Sequence, residues 1–243
     1  MNKILILADI HANIHALDAV LEAQSAHELS AVYCAGDIVG YGVYPNECVE
    51  RLRELGAICI RGNHDRFVIG LDDGSSFNSM AYEAGRLTRE ILSAESRDYL
   101  LGLPDERRVD DNTLIVHGAP GDPDRYLFGS SELSDMADDL QREEGPGVCI
   151  VGHTHVPAYA DSDHAYPSDK MLVMFDDNRR IMINPGSVGQ PRDGSPAAAY
   201  ALVEMDSGAI LFNRVTYDHE EVAVAVRSRG MPSYLAYRLL IGV

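Results

Sequence analysis

Short apolar runs recur along the chain up to residue 155, and each ends in a small polar cluster. Lys3-Ile-Leu-Ile-Leu-Ala8 leads into Asp9-Ile10-His11-Ala12-Asn13, and Ala31-Val-Tyr-Cys-Ala35 into Gly36-Asp37. Ala57-Ile-Cys-Ile60 precedes Gly62-Asn63-His64-Asp65, Leu114-Ile-Val116 precedes His117-Gly118, and Val148-Cys-Ile-Val151 precedes Gly152-His153-Thr154-His155. A continuous apolar run reads as a strand buried on both faces. Between the runs the spacing turns helical. Ile14, Leu17, Val20 and Leu21 predict a helix to about Ala26, with Asn13 as its N-cap. Pro45 suits the first turn of a helix to about Leu55, and Ser131 to Arg142 reads as another.

Two stretches depart from this β/α rhythm. Residues 66–103 hold a loop, Asp72-Asp73-Gly74-Ser75-Ser76, and two helical segments, which suggests a cap or lid over a site. After Pro157, four strands are expected at Met171–Phe175, Arg180–Asn184, Ala198–Met205 and Ala209–Tyr217. Asp176-Asp177-Asn178 and Asp206-Ser207-Gly208 are the expected turns of two hairpins. Asp218 with Glu221 resembles a capping box for a last helical region. No repeat or linker divides the chain. The expectation is one α/β (mixed α+β) domain over 1–243: a four-layer α-β-β-α sandwich of two packed mixed sheets, with a helical cap insertion at about 66–103.

Composition limits the partners. Acids number 38 against 20 lysines and arginines, a formal charge of −18. Such a surface repels duplex nucleic acid and anionic membranes, but it does not bar a small anionic substrate where bound metal reverses the local sign. Cys34, Cys48, Cys59 and Cys149 form no CxxC pair, and three of them sit in apolar runs, as expected of reduced core residues in a cytoplasmic protein. The first apolar run is too short for a signal peptide, and nothing approaches a membrane span. Exposed hairpin edges would permit pairing between copies in a homo-oligomer.

The polar clusters share one position in the pattern. Asp9, Asp37, Asn63, His117 and His153 each stand just past an expected strand. In α/β sheets, ligands bind outside the carboxyl ends of the strands. The groups gathered there are two carboxylates, an amide and the imidazoles of His11, His117, His153 and His155, all ligand types for Zn, Mn, Fe or Ni. They are too many for one tetrahedral ion. They suit two ions sharing a carboxylate, about 3.5–4 Å apart as in two-metal hydrolases.

Asp9-x-His11, Gly36-Asp37, Gly62-Asn63-His64-Asp65, His117 and Gly152-His153-x-His155 resemble, in order, the motifs of the calcineurin-like metallophosphoesterases. Asn184-Pro-Gly-Ser-Val-Gly-Gln-Pro-Arg-Asp193 is similar to a stretch of their small bacterial phosphodiesterase-like members. The resemblance implies that Asp9, His11 and His155 bind one ion, that Asn63, His117 and His153 bind the other, and that Asp37 bridges them. It implies a phosphodiester hydrolase in which a metal-bridging hydroxide attacks in line. His64 then protonates the leaving oxygen, steered by Asp65. Arg192, Tyr41 and Asn13 are expected to line the substrate pocket. The protein-phosphatase branch has an Asp-Arg pair where this chain has Gly40 and Tyr41, which argues against a phosphoprotein substrate and against a diadenosine tetraphosphatase. A nucleotide pyrophosphohydrolase and a non-catalytic metal-binding scaffold are the other readings. A scaffold would be expected to lose ligands, and none is missing. His15, His27, His164 and His219 are expected to be ordinary surface histidines without partners.

Overall fold

A computed structural model describes residues 3–167, 172–175 and 179–243. In chain order the elements are β1 (Lys3–Leu7), α1 (Ile14–Gln24), β2 (Leu29–Cys34), α2 (Pro45–Glu54), β3 (Ile58–Cys59), α3 (Asn63–Ile69), α4 (Ser79–Ile91) and α5 (Ala94–Gly102). There follow β4 (Glu106–Arg108), β5 (Thr113–Val116), α6 (Gly129–Arg142), β6 (Val148–Ile150), β7 (Ala158–Ala160) and β8 (Ala165–Pro167). The last are β9 (Leu172–Met174), β10 (Ile181–Asn184), β11 (Ala198–Glu204), β12 (Ala209–Val215), α7 (His219–Ser228) and α8 (Ser233–Ile241).

The strands form two six-stranded mixed sheets, ordered β3-β2-β1-β11-β12-β9 and β4-β5-β6-β10-β7-β8. The apolar runs explain the layering. In β1, Leu5 and Leu7 pack with Leu17, Val20 and Leu52 of the helices on one face. Ile6 points the other way, into a core it shares with Ile115, Tyr159 and Ile183 of the second sheet. The second sheet turns Leu114, Val116 and Met182 outward against Leu133, Ala137 and Leu140 of α6. Both sheets are therefore covered on both faces, as unbroken apolar strands require. A further apolar cluster joins Ala81 and Ala84 of α4 to Val222 and Val226 of α7, Leu235 and Leu239 of α8, and Tyr41.

Three expectations change. The turn at 176–178 lies outside the described residues, but the strands beside it are not a hairpin. β9 pairs with β12 at the edge of the first sheet, whereas β10 lies between β6 and β7 in the second. Burial explains the split. All four residues of β10 are buried and need neighbours on both sides, whereas Leu172 and Met174 of β9 are exposed and suit an edge. The 206–208 hairpin does form, between β11 and β12. Asn63, His64 and Asp65, expected just past the end of the third strand, do not lie in a strand-end loop. β3 stops at Cys59, and these three residues are the first turn of α3, with Gly62 as N-cap. Within 66–103, the two expected helices are α4 and α5, but α5 packs into the body of the molecule, with Leu100 in the core beneath the first sheet.

Candidate metal centre

The strand ends converge on one buried cluster. Asp9, His11 and Ala12 follow β1, Asp37 follows β2, and His153 and His155 follow β6. All six, with Tyr41, have left-handed backbones, with φ between 49° and 68°. Among the described residues the one other non-glycine residue with positive φ is Glu144. Such conformations cost about 1–3 kcal/mol each and persist where the surroundings impose them. Here they turn consecutive side chains of a tight loop toward one point.

The surroundings that impose them are visible. Asp9 N donates to Gly36 O at 3.0 Å and His11 N to Asp37 O at 2.9 Å, which lock the first two loops together. Asp37 Oδ1 accepts from His64 N at 2.9 Å, and Asp9 Oδ2 from His153 N at 3.0 Å. A Cβ at Gly62 would collide with Asp37 Oδ1, so only glycine fits there. The Asn184–Asp193 stretch proves to be a frame. Val188 N and Gly189 N donate to Ala8 O and Asp9 O, each at 3.0 Å, and Ser187 Oγ donates to Asp9 O at 2.7 Å. Asn184 Nδ2 holds Gly152 O at 2.9 Å, bracing the His153 loop.

The donor atoms fall into two groups sharing one residue. Asp9, His11, Asp37 and His155 bring ligand atoms within 4.8 Å of one another, as do Asp37, His117 and His153. Asn63 Oδ1 is buried and has no hydrogen-bond partner among the described residues. The tautomers are set from behind. His117 Nδ1–H donates to Ala35 O at 2.7 Å, His155 Nδ1–H to Gln190 O at 2.5 Å and His11 Nδ1–H to Val39 O at 3.3 Å. His11 and His155 are each left with a bare Nε2 facing inward, and His117 turns its Nε2 toward Asp37 at 3.3 Å. His153 is reversed, with Nε2–H on Asp124 O at 3.2 Å and Nδ1 inward, 3.0 Å from His117 Nε2. The Nε2 atoms of His11 and His155 stand 3.1 Å apart. Two lone pairs that close repel unless a cation lies between them. With the orphaned Asn63 oxygen, this donor set fits bound metal.

The electrostatics agree. Burial pushes the carboxyl of Asp9 up to about 7, with Asp37 adding to the rise. Burial holds His11 and His155 well below the ordinary imidazole range and pushes His153 down to about 2. Burial works against ionisation of Asp37 too, but His117 and His64 outweigh it and hold the carboxylate well below its usual range. His117 is raised to about 9 because Asp37 overcomes its burial. His117 is thus the one imidazole of the cluster drawn to a proton, and a divalent ion there would take that proton's place.

His64 lies beside the cluster, its ring 4.9 Å from that of His11 and 4.4 Å from that of Tyr41. Burial pushes it down to about 4, and its Nδ1 has no hydrogen-bond partner among the described residues. Asp65 does not steer this ring. Its two oxygens accept from Gly62 N, Ile38 N and Val39 N at 2.9, 3.2 and 3.0 Å, clamping the Asp37 loop to the start of α3. Asn13 is the N-cap of α1, accepting from Ala16 N at 3.2 Å, and its Nδ2 is spent on Gly189 O and Tyr217 Oη. Arg192 and Tyr41 do meet at the site, with Nη2 3.4 Å from the phenol oxygen.

The four outlying histidines have partners after all. His15 stands 3.8 Å from Glu221, His27 3.3 Å from Lys3 Nζ and His164 3.3 Å from Asp161, and His219 Nε2 donates to Pro196 O at 2.8 Å. Sequence reasoning missed three residues at the site. Phe77 packs on His64 at 4.5 Å, Tyr126 stacks on His153 at 3.6 Å, and Arg238 lies 5.9 Å from the Tyr41 ring centre. None follows an apolar run, so no sequence signal marks them.

The calcineurin-like phosphoesterase superfamily domain matches residues 2–208. The chain belongs to that superfamily. A metallophosphoesterase from Sphaerobacter thermophilus superposes with a TM-score of 0.85 at 38% identity, covering 100% of this chain and 99% of its own. The uncharacterized protein MJ0912 of Methanocaldococcus jannaschii is 33% identical over 99% of this chain and 98% of its own length. Phosphodiesterase YfcE of Escherichia coli is 24% identical over 85% and 89%. Membership makes the chain a metal-dependent phosphoric ester hydrolase. Among the described residues, no helix is long and apolar enough to cross a membrane.

Proposed function

We infer that the protein is a phosphodiesterase working with two divalent ions. The observation that carries this is the sharing of Asp37 between two donor groups, beside an Asn63 oxygen that no group among the described residues satisfies. Asp9, His11 and His155 would hold one ion, and Asn63, His117 and His153 the other, with Asp37 between them. Mn, Fe, Zn and Ni all suit these nitrogen and oxygen donors. When bound, such ions supply a hydroxide nucleophile near neutral pH and offset charge on the phosphoryl oxygens.

The protein's own groups do the rest. His64 is neutral in its buried place at pH 7. A phosphoester anion set beside it raises its pKa, so the ring gains its proton as substrate arrives and can give it to the leaving oxygen. Phe77 and Tyr41 pack around the ring and shut water away from it. Phe77 comes from the 70–78 loop, which makes that loop, rather than all of 66–103, the lid. Asp65 acts as a brace for the loops that hold Asp37 and Asn63. Arg192 faces the substrate. The relative's name, phosphodiesterase, and the absence of an Asp-Arg pair at Gly40-Tyr41 both favour a diester over a phosphoprotein. All four cysteines are free and buried, which suits the reducing cytoplasm.

The test is hydrolysis of bis-p-nitrophenyl phosphate beside p-nitrophenyl phosphate, in metal-stripped protein with Mn²⁺ restored. Metal-dependent cleavage favouring the diester, and lost in Asn63→Ala and His64→Ala, is the expected result. Protein that holds two ions and cleaves neither compound would point instead to a scaffold.

A further inference from the structure

Three of the four imidazoles in the metal centre lean on carbonyls that are themselves well anchored. Ala35 N donates to Leu7 O at 2.8 Å, Val39 N to Asp65 Oδ1 at 3.0 Å and Gln190 N to Ser187 Oγ at 2.8 Å. His153 leans instead on Asp124 O, in the irregular segment between β5 and α6. That bond keeps the His153 proton on Nε2 and leaves Nδ1 free to ligate. The second ion's site therefore depends on what holds the Asp124 carbonyl in place.

The loop that offers this carbonyl has few holds on its surroundings. Ala119 and Asp122 bond each other in both directions at 2.9 Å, and Asp124 N and Arg125 N both donate to Asp122 at 3.2 Å. Among the described residues, no hydrogen bond of 119–125 leaves the loop except at Asp124. One of its two outward bonds is from His153, and the other joins its carboxylate to Arg66 Nη2. Arg66 lies on α3, one turn after Asn63, with its side chain 10% exposed against 56% for that of Asp124. Asp124 is the one hydrogen-bond acceptor of this guanidinium among the described residues. Its Nη1 is buried without one, 3.9 Å from Asp105. A guanidinium so far from water is committed to the carboxylate it has. The start of α3 is anchored in turn, since Arg61 holds Asp105 at 3.1 Å and donates its N to Pro104 O at 2.8 Å. The contacts thus run from α3 through Arg66 and Asp124 to the ring of His153. They join Asn63 and His153, two ligands expected at the same ion. Among the described residues, neither Arg66 nor Asp124 bonds to Asp9, His11 or His155.

We propose that Arg66 is a positioning residue for the second ion, and that its ion pair with Asp124 assembles that site by fixing the carbonyl that orients His153. This rests on the two-ion part of the reading above and makes the two sites unequal. The ion at Asp9, His11 and His155 is held by the anchored frame, and the ion at Asn63, His117 and His153 by a contact at the protein surface.

The test has two readouts, neither of which is turnover. Imidazole ¹⁵N NMR of the metal-free protein reports each tautomer. In Arg66→Gln the His153 signals should move from the Nε2–H form toward a mixture of both forms, while His11 and His155 keep theirs. Calorimetric titration with Mn²⁺ should show one ion bound ~10–100-fold more weakly, the usual worth of a group that orients a ligand, and the other unchanged. Arg66→Lys should restore part of both effects. Asp124→Asn keeps the backbone carbonyl and should give the same changes in smaller measure, and it decides the matter if Arg66→Gln does not fold. Arg51→Gln, which breaks the ion pair between α1 and α2 instead, should change neither readout. An unmoved His153 signal in Arg66→Gln, with both ions bound as tightly as before, overturns the proposal and leaves the two-ion reading standing. So does an equal weakening of both ions with all four imidazoles disturbed, because the pair would then be a general brace of the fold. Loss confined to one ion, in protein that cleaves no diester, keeps the positioning role and discards the phosphodiesterase. Unaltered protein that takes up a single ion overturns both.

Discussion

The floor of the site and its wall are held by different means. Asp9, His11, Asp37, His153 and His155 sit on left-handed backbones and are almost wholly buried. Each is fixed by hydrogen bonds from at least one other loop, so its position is set by many constraints at once. Phe77, Tyr126, Arg192 and Arg238 have ordinary backbones and come from a loop of the insertion, the segment before α6, the 184–193 stretch and the last helix. Packing places them, and the hydrogen bonds of Arg192 to Tyr41 and Gln190 are long, at 3.4 Å. The floor should therefore fail abruptly when altered, and the wall by degrees.

Asp37→Asn is the harshest trial of that difference. The shared carboxylate faces His11 Nε2 at 3.6 Å and His117 Nε2 at 3.3 Å, so one substitution weakens both donor groups. Activity should fall by more than the ~10–100-fold typical of losing a supporting contact to a ligand. Elemental analysis should find fewer than two ions per chain. Full metal content in this variant would break the comparison.

His64→Ala comes next, and it separates the floor from the chemistry beside it. Both ions should remain. Turnover of an alkyl ester should drop by ~10²–10⁴-fold, the usual share of a proton donor, while esters of acidic phenols lose much less. A flat response across leaving groups would mean that the ring only packs.

Gly62→Ala probes the floor without touching a ligand. The new methyl has no room beside Asp37 Oδ1, and overpacking a filled site costs ~1–3 kcal/mol. The expected result is a lower Tm together with metal affinity reduced by ~10–100-fold. A lower Tm with unchanged affinity would show that the cluster tolerates a displaced loop.

The same contrast explains what could be read in advance. The floor is legible because Asp9, Asp37, His117 and His153 each stand just past an apolar run, and a strand buried on both faces leaves its C-terminal loop at the ligand-binding edge. Asn63 also stands past an apolar run, Ala57–Ile60, but Gly62 starts a helix there, and a cap with no side chain of its own gives little warning of it. The resemblance gives Asp65 to His64 as its partner, whereas three backbone amides claim its oxygens. Apolar patterning shows that strands exist, not which sheet takes them, so nothing in the sequence separates β9 from β10. Phe77 and Arg238 belong to no pattern at all, since only the packing of α4, α7 and α8 against Tyr41 brings their neighbourhood to the site.

Proton linkage sharpens the picture of the floor by a smaller amount. Without metal, Asp37 keeps a proton on His117 up to about pH 9, and burial keeps one on Asp9 up to about pH 7. Both must leave for these atoms to ligate. Affinity for Mn²⁺ should therefore rise about tenfold per unit of pH from 7 to 9, more steeply below 7, and level off above 9. Calorimetry in buffers of different ionisation enthalpy should count one proton released at pH 8 and more at pH 6. A pH-independent affinity would mean that His117 is neutral in the metal-free protein.

Phe77→Ala should have the mildest effect and is the best measure of how gently the wall yields. The phenyl ring lies against His64, with the two planes 32° apart, and helps to keep that imidazole from water. Burial is the largest reason that the imidazole is held down to about 4, so opening its surroundings must move its pKa upward, toward the ordinary value. Metal content should not change, because the rings that Phe77 packs on, His64 and Phe67, are not among the expected ligands. The NMR titration of His64 in Phe77→Ala should shift up, and kcat for an alkyl diester should change by only a few-fold, since a readier proton and a wetter site act in opposite directions. An unmoved titration would show that Tyr41 alone shields the ring. Lost metal would show that the lid loop and the metal centre are one unit after all.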